Sequence, residues 1–351
     1  MNILAIETSC DETSVAIVTD GTEVLTCITA SSMDIHTATG GIIPENAARK
    51  QIEYILPTLE KALSVIQEKG DANTKVWMKE CMEHIDAIAV TVGPGLIGSL
   101  LVGVETAKTL ATFYQKPLIP VNHVKAHIYA TFLTEPHPQF PLIALVVSGG
   151  HTDFIFMKDH NTYNWIGGTR DDAAGEAFDK SARLLGLGYP GGPAISKSAD
   201  LYLQENPHAK LNLFPRPMIH DDTFDVSFSG LKTAVHRIVE KNKTDNMYSQ
   251  EQLAAELQEA IIDSLINKTV KVVDRYNPKS VVICGGVSGN ARLKMSLKAL
   301  QLFEANNISV HVPLLKYTTD NAAMIGSFAF FNRANSQIET VAPNPELHFA
   351  E

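Results

Sequence analysis

Short apolar runs alternate with longer stretches of helical periodicity along the whole chain, and one arrangement of them occurs twice. Residues 2–31 read as an apolar strand (Ile3-Leu4-Ala5-Ile6), a polar turn (Thr8 to Thr13), a second strand (Val15 to Val18), a tight turn at Asp20-Gly21 and a third strand (Val24 to Ile28). Residues 142–169 repeat the pattern. Leu142 to Val147 is followed by the turn Ser148-Gly149-Gly150-His151-Thr152, then Phe154 to Met157, a turn at Asp159-His160-Asn161, and Tyr163 to Ile166. Each copy predicts a three-stranded meander whose first turn is small and polar.

Helices and strands alternate after each meander. The first half predicts a helix over Glu45 to Ile66, a buried strand over Ile85 to Val92, a helix over Leu96 to Phe113 and a strand over Leu118 to Val121. The second half predicts helices over Asp171 to Leu185, Gln252 to Tyr276, Asn290 to Leu302 and Thr319 to Phe331, with strands over Ser280 to Cys284 and Ser309 to Val312. Residues 186–250, rich in Gly, Pro, Asp and Ser, read as an irregular insertion or lid. Asp71 to Lys75 reads as a surface excursion. The alternation implies an α/β fold with mixed sheets, two copies of one unit facing each other across a cleft. The expected division is 1–122 for the first subdomain and 123–324 for the second, with a C-terminal helix over roughly 325–345 packing back on the first.

Composition adds exclusions. With 351 residues, 45% hydrophobic and 19% charged, the chain is neither disordered nor fibrous, and it needs no disulfide staples. Its four cysteines, Cys10, Cys27, Cys81 and Cys284, form no C-x-x-C pair, which argues against structural zinc and for a reducing compartment. The N-terminal run has no basic residue before it and is cut by Glu7, so it does not read as a signal peptide. Ala87 to Val104 is uncharged, but Gly93-Pro94-Gly95 breaks it into a strand, a turn and a helix start, so no membrane span is expected. The net charge of −10 argues against coating nucleic acid by bulk charge, while leaving room for a local basic face.

Several turns carry candidate chemistry. His123-Val124-Lys125-Ala126-His127 places two imidazoles one helical turn apart, a spacing that suits a divalent transition metal and equally a plain helix surface. Val124 stands where a zinc protease of the H-E-x-x-H kind needs its glutamate base. Ser148-Gly149-Gly150 lets backbone N–H groups approach an anion, or is simply a hairpin turn, and Asp11 occupies the equivalent turn of the first half. Gly285 to Asn290 follows a buried strand and opens a helix, with Asn290 near its start. Gly93-Pro94-Gly95-Leu96-Ile97-Gly98 matches G-x-G-x-x-G but lacks the acidic residue a dinucleotide site wants, and reads as close packing. Asp171 and Asp172 read as helix caps, and Asp179 as a carboxylate for ribose or substrate hydroxyls. Thr319 or Asp320 reads as the N-cap of the last helix; alternatively Asp320 completes a two-histidine, one-carboxylate metal site.

Taken together, Glu7 to Thr13, Gly93-Pro94-Gly95, Lys108-Thr109 through Tyr114-Gln115 to His123 and His127, Val147 to Thr152, Asp171 to Lys180, Tyr189 to Pro193, Phe228 to Lys232, Gly285 to Asn290 and Thr319 to Met324 resemble the universal tRNA threonylcarbamoyl-adenosine synthase family, once called glycoprotease or O-sialoglycoprotein endopeptidase. The resemblance covers nearly the whole chain. It implies the duplicated actin-like ATPase, sugar-kinase and Hsp70-type fold, and a metal held by His123, His127 and Asp320, iron foremost and zinc as the alternative. It implies substrate contacts at Val146, Val147, Ser148, Gly149, Gly150, Asp179, Gly192 and Asn290, and a role near the chemistry for Asp11. One stretch departs from the family: a basic, histidine-containing segment reads Arg49-Lys50-Gln51 here.

The implied reaction transfers a threonylcarbamoyl group from threonylcarbamoyl-AMP to N6 of adenosine 37 in tRNAs reading codons that begin with adenine. Implied partners are tRNA, an inactive paralogue that forms a heterodimer, and a small ATPase, although organellar relatives act as homodimers. A cytoplasmic, bacterial-type protein is expected. The competing readings are a small-molecule kinase of the same fold, a metallopeptidase and a catalytically silent scaffold. Lys232, His236, Arg237, Lys241 and Lys243 form a candidate RNA-facing patch or an ordinary solvated helix face.

Overall fold

The computed structural model describes residues 1–33, 41–66, 74–300, 303, 305–333 and 338–349. The surface excursion at residues 71–73 and the end of the 290–302 helix, at 301–302, lie outside them. Strands β1 (Asn2–Glu7), β2 (Glu12–Thr19) and β3 (Glu23–Ser31) form the first antiparallel meander. Helices α1 (Pro44–Leu63) and α2 (Thr74–Glu83) follow, then β4 (Ala87–Gly93), α3 (Ile97–Tyr114), β5 (Leu118–Asn122) and the short α4 (His123–Tyr129). β4 pairs parallel to β1, with Ala5 opposite Ala89, and β5 pairs parallel to β4. The sheet order is β3-β2-β1-β4-β5. Ile3 to Ile6 and Ala87 to Val92 are buried, as inner strands covered on both faces must be, which is why, apart from Thr91, they read as continuous apolar runs rather than alternating ones.

The second copy opens with β6 (Leu142–Val147), β7 (Thr152–Met157) and β8 (Tyr163–Gly168). Then come α5 (Ala174–Leu184), α6 (Gly191–Glu205), α7 (Ser229–Asp245), α8 (Gln250–Tyr276), β9 (Ser280–Cys284), α9 (Ala291–Lys298) and β10 (Ser309–His311). The order β10-β9-β6-β7-β8 is the first sheet's order with the same connections, so the repeat read from hydrophobicity is a repeat of topology. α10 (Ala322–Phe331) returns to the first sheet, packing on β1, β2 and α4. It is apolar all round because it is enclosed all round, and a Cβ on Gly326 would lie 2.7 Å from a methyl of Val18.

The chain divides into two compact units, residues 1–137 with 313–351, and residues 138–312. α4, with both histidines, thus lies with the first unit rather than opening the second, because it leaves β5 and packs on α10. The last helix stops at Phe331; residues 338–340 form one 3₁₀ turn, and the tail beyond hydrogen-bonds back to the first unit, Asn344 N donating to Val92 O at 2.6 Å. The 186–250 region is irregular only in part: residues 206–228 form no helix or strand, but the region also holds α6 and α7, and its Gly191-Gly192-Pro193 and Ser229-Gly230 are helix starts rather than loop residues. Ala87 to Val104 is β4, a turn and the first part of α3, and among the described residues no helix is long and apolar enough to cross a membrane.

Candidate active site

In the first unit, Asn122 ends β5 and caps α4, its side-chain oxygen accepting from Lys125 N at 3.1 Å. The cap starts the helix at His123 and so turns His123 and His127 to one face, ring centroids 4.6 Å apart. Asp320 comes from the other end of the sequence. Its position is fixed by its neighbour, since Asn321, rather than Thr319 or Asp320, is the N-cap of α10, accepting from Met324 N at 3.1 Å and donating to Thr319 O at 2.7 Å. Asp320 Oδ1 lies 3.4 Å from both His123 Nε2 and His127 Nε2, and one ligand atom from each of the three residues lies within 4.8 Å of the others.

Glu7 stands behind His123. It is fully buried at the end of β1, its Oε2 accepts from His123 Nδ1 at 3.0 Å and from the Thr91 hydroxyl, and its Oε1 accepts from Ser9 N at 2.6 Å. A carboxylate on Nδ1 keeps a proton on that nitrogen, so that Nε2, which faces Asp320, is the nitrogen a metal would take in exchange for its proton, the way metal-ligating histidines are held. Burial pushes the Glu7 and Asp320 carboxyls up, but His123 outweighs it and both stay below the usual carboxylate range. Burial likewise pushes His123 down, and Glu7 and Asp320 together hold it well above an ordinary imidazole. His127 has less support: burial lowers it with Asp320 opposing, Nε2 lies 3.4 Å from Asp320 Oδ1 without a well-formed hydrogen bond, and Nδ1 has none. An unpartnered buried polar group costs about 1–3 kcal/mol. A divalent ion would remove that cost at Nε2, and two imidazoles with one carboxylate suit Fe²⁺ or Zn²⁺ with positions left open, so the residues fit the implied metal.

The Asp11 turn sits beside this cluster. Asp320 and Asp11 both act electrostatically on Cys10 and on Glu12. Burial, with Asp11 next in effect, pushes the Glu12 carboxyl up to about 10, so it keeps its proton at neutral pH. The G-x-G-x-x-G loop is filled by protein: a Cβ on Gly93 would meet Asn344 O and one on Gly95 would meet Ser9 O at 2.4 Å. It is a packing motif, as its missing acidic residue indicates.

In the second unit, the turns after β6 and β9 leave the carboxyl ends of neighbouring parallel strands, Val146 opposite Cys284, where open α/β sheets bind ligands. Val146 and Val147 are fully buried in the sheet, so neither offers a side chain to a ligand. Gly285 adopts φ +88° with Val147 O 2.4 Å from where a Cβ would be, and Gly175 closes on Ser148 O in the same way. Gly149, Gly150 and Gly192, by contrast, face open space. Asp179 Oδ1 accepts from Gly191 N at 2.7 Å and so holds the start of α6; burial raises its carboxyl. Asn290 caps α9, accepting from Leu293 N at 3.0 Å, and its Nδ2 donates to Gln258 Oε1 at 2.9 Å.

Asp171 and Asp172 do not cap α5, whose N-cap is Ala173. Asp171 instead accepts from Phe228 N and Ser229 N at the start of α7, and Asp172 pairs with Lys180 at 2.7 Å. Glu7 and Glu12 went unassigned in the sequence. The signal for Glu7 was present, a carboxylate ending a strand otherwise wholly apolar. Nothing in the order of residues announced that Glu12 would be enclosed.

Two five-stranded sheets of one topology, one carrying a buried two-histidine, one-carboxylate cluster and the other glycine turns, define an α/β protein of the actin-like ATPase and sugar-kinase class. Solved structures agree on the fold: HypF of T. kodakarensis has a TM-score of 0.57 at 13% identity over 94% of this chain and 47% of its own, and (R)-2-hydroxyglutaryl-CoA dehydratase component A of Acidaminococcus fermentans a TM-score of 0.50 at 14% identity over 94% and 98%. The family model TsaD, tRNA N6-adenosine threonylcarbamoyltransferase, matches residues 23–327. Proteins of that name from Thermosipho africanus and Caldicellulosiruptor saccharolyticus are each 44% identical, over 99% of this chain and 99% of the former, and 98% of this chain and 96% of the latter. The chain belongs to the tRNA N6-adenosine threonylcarbamoyltransferase family of enzymes.

Proposed function

We propose that this protein transfers the threonylcarbamoyl group of threonylcarbamoyl-AMP to N6 of adenosine 37 in tRNAs reading codons that begin with adenine, assisted by one divalent metal, Fe²⁺ foremost. The observation that carries the reading is the buried cluster of His123, His127 and Asp320 in a chain that matches enzymes named for this transfer over nearly its full length. In the reaction the N6 amine attacks the carbamoyl carbon, the bond from that carbon to the phosphate oxygen breaks, AMP leaves, and N6 loses a proton. The amine is a poor nucleophile, so positioning and charge stabilisation carry most of the work.

His123, His127 and Asp320 would hold the ion, which when bound supplies positive charge to neutralise charge on the leaving group. The second unit would hold the adenylate: Gly149 and Gly150 offer backbone N–H groups with no side chain in the way, Asp179 and Gly192 offer a carboxylate and an open backbone for hydroxyls, and Asn290 offers the remaining N–H of its amide. Asp11 would accept or orient the proton of the adenine amine. Glu12, beside it, accepts from the Ser31 hydroxyl at 3.1 Å and is tied to the strand pair rather than to the reacting group. Single-turnover transfer from preformed threonylcarbamoyl-AMP should slow by about 10²-fold or more in Asp11→Asn; unchanged transfer would remove Asp11 from this role.

The reading includes an inactive paralogue and a small ATPase as partners, and a cytoplasmic location. Nucleoside mass spectrometry of tRNA incubated with the purified protein and threonylcarbamoyl-AMP, with and without candidate partners, tests the whole. A new threonylcarbamoyl-adenosine is expected, and its absence under every combination would overturn the assignment. The peptidase alternative has no base at Val124, which is buried.

A further inference from the structure

The turn that carries Asp11 is wrapped around one side chain. Gln51 comes from α1, is 1% exposed, and its Nε2 lies 3.3 Å from Thr8 O, 2.9 Å from Cys10 O and 3.1 Å from Glu12 O. Three carbonyls of one short turn converge on a single amide nitrogen. The arrangement also fixes which way the amide faces, because the reverse orientation would press a carbonyl oxygen against three others in a buried site. The rest of the turn is tied from other sides. Leu96 N donates to Ser9 O at 2.8 Å, Ser99 Oγ to Cys10 O at 3.1 Å, and Ser32 Oγ to the carbonyl of Asp11 itself at 2.8 Å. Asp11 therefore sits between two carbonyls held by Gln51, with its own held by Ser32. Gln51 is also where the chain departs from the basic, histidine-containing stretch of the family it resembles, and it faces the interior of the first unit rather than solvent.

We propose that Gln51 is a positioning residue for the transfer: its amide sets the backbone of residues 8–12 and thereby the place from which the Asp11 carboxylate acts. The inference rests on the role given to Asp11 above. A glutamine buried only for packing would be replaced well by an apolar side chain of its length. A glutamine that organises three carbonyls would not, because Thr8 O and Glu12 O lose the amide and Cys10 O keeps only Ser99, so the turn is free to shift.

The test compares Gln51→Met and Gln51→Glu with the unaltered full-length protein, using tRNA, threonylcarbamoyl-AMP and any partners the activity requires. In Gln51→Met, kcat should fall about 10- to 100-fold, the range that an ångström-scale misplacement of a reacting group produces, while KM for tRNA stays within about twofold. Hydrogen exchange of the amides of residues 8–13 should quicken in the same variant. Gln51→Glu supplies the conservative arm. Its carboxyl faces three carbonyl oxygens, so only the protonated form can donate to the turn. Its activity relative to the unaltered protein at the same pH should therefore exceed that of Gln51→Met at pH 6, and that advantage should shrink as pH rises.

Unaltered kcat in Gln51→Met, unchanged exchange over residues 8–13, or a Gln51→Glu no better than Gln51→Met at pH 6 would each overturn the proposal. If Gln51→Met does not fold, the pH 6 comparison of Gln51→Glu with the unaltered protein decides, with a loss above about 100-fold counting against it. The role of Asp11 fails separately, by full activity in Asp11→Asn, and the exchange measurement tests the clamp whichever way that falls.

Discussion

Glu7→Gln replaces the buried carboxylate behind His123 by its closest neutral equivalent in shape, and its effect on metal binding can be worked from the contacts. Glu7 now accepts on one oxygen from Ser9 N at 2.6 Å and on the other from His123 Nδ1 at 3.0 Å. A glutamine has one oxygen for these two donors. If it keeps Ser9, its NH₂ faces Nδ1, which must then accept, and the ring proton moves to Nε2 where the metal would bind. If it keeps His123, two N–H groups confront each other at Ser9 in a site closed to water, at a cost of about 1–3 kcal/mol. Either way metal affinity should fall about 10- to 100-fold, the usual effect of losing such an outer partner, equivalent to about 1.4–2.7 kcal/mol. Chelator competition on the purified protein measures it, with elemental analysis after dialysis for stoichiometry. Thr91→Val is the control: it removes a hydroxyl from the same carboxylate and leaves both His123 and Ser9 served. Equal affinity in Glu7→Gln and the unaltered protein would refute the argument that Glu7 sets the tautomer of His123.

Two further outcomes follow from the same geometry. Because Glu7 and Asp320 hold His123 well above 6.5 in the metal-free protein, a metal must displace that proton; affinity should therefore fall by about tenfold per pH unit below the raised value, and calorimetry in buffers of different protonation enthalpy should show about one proton released at neutral pH. In the second unit, Gly285→Ala places a Cβ against Val147 O in a left-handed backbone and should cost about 2 kcal/mol or more of stability in urea, whereas Gly149→Ala meets nothing within 4 Å, should leave stability unchanged, and should raise KM for threonylcarbamoyl-AMP severalfold; equal stability of the two would contradict the packing described.

The fold was legible because its inner strands are buried on both faces, whereas most of its helices bury one face only. Ile3 to Ile6, Ala87 to Val90, Leu142 to Val147 and Val281 to Cys284 stand out as continuous apolar runs, and the order in which they recur carries the duplicated topology with it. The boundaries that slipped share a cause. Asp171, Asp172, Thr319 and Asp320 are good capping residues placed next to helices, but the chain caps α5 at Ala173 and α10 at Asn321, freeing the carboxylates before them for tertiary work. α6 and α7 were hidden because glycine and proline at a helix's first turn look, in sequence, like the loop that precedes it. Local preference names the residues that can cap; only the packing decides which one does.

The chemistry was legible in pairs and illegible in its supports. His123 and His127 announce themselves by spacing, and Asp320 by standing before a helix, because ligands must be presented from regular elements. Glu7 and Gln51 follow no spacing rule, since each acts on residues brought to it by folding: Glu7 on a histidine over a hundred positions away, Gln51 on the three carbonyls of the Asp11 turn. Their common signature is a polar side chain enclosed where the pattern calls for an apolar one, and each such residue has to be matched to the group that requires it. For Glu7 that group is a ring that must offer one lone pair in one direction, and a buried carboxylate is the partner that enforces it. The charge of −10 then acquires a local meaning. Part of the acidity lies inside the first unit, in the buried Glu7 and the largely enclosed Asp320, where it holds His123 up and favours a cation rather than repelling a polyanion such as tRNA from the surface.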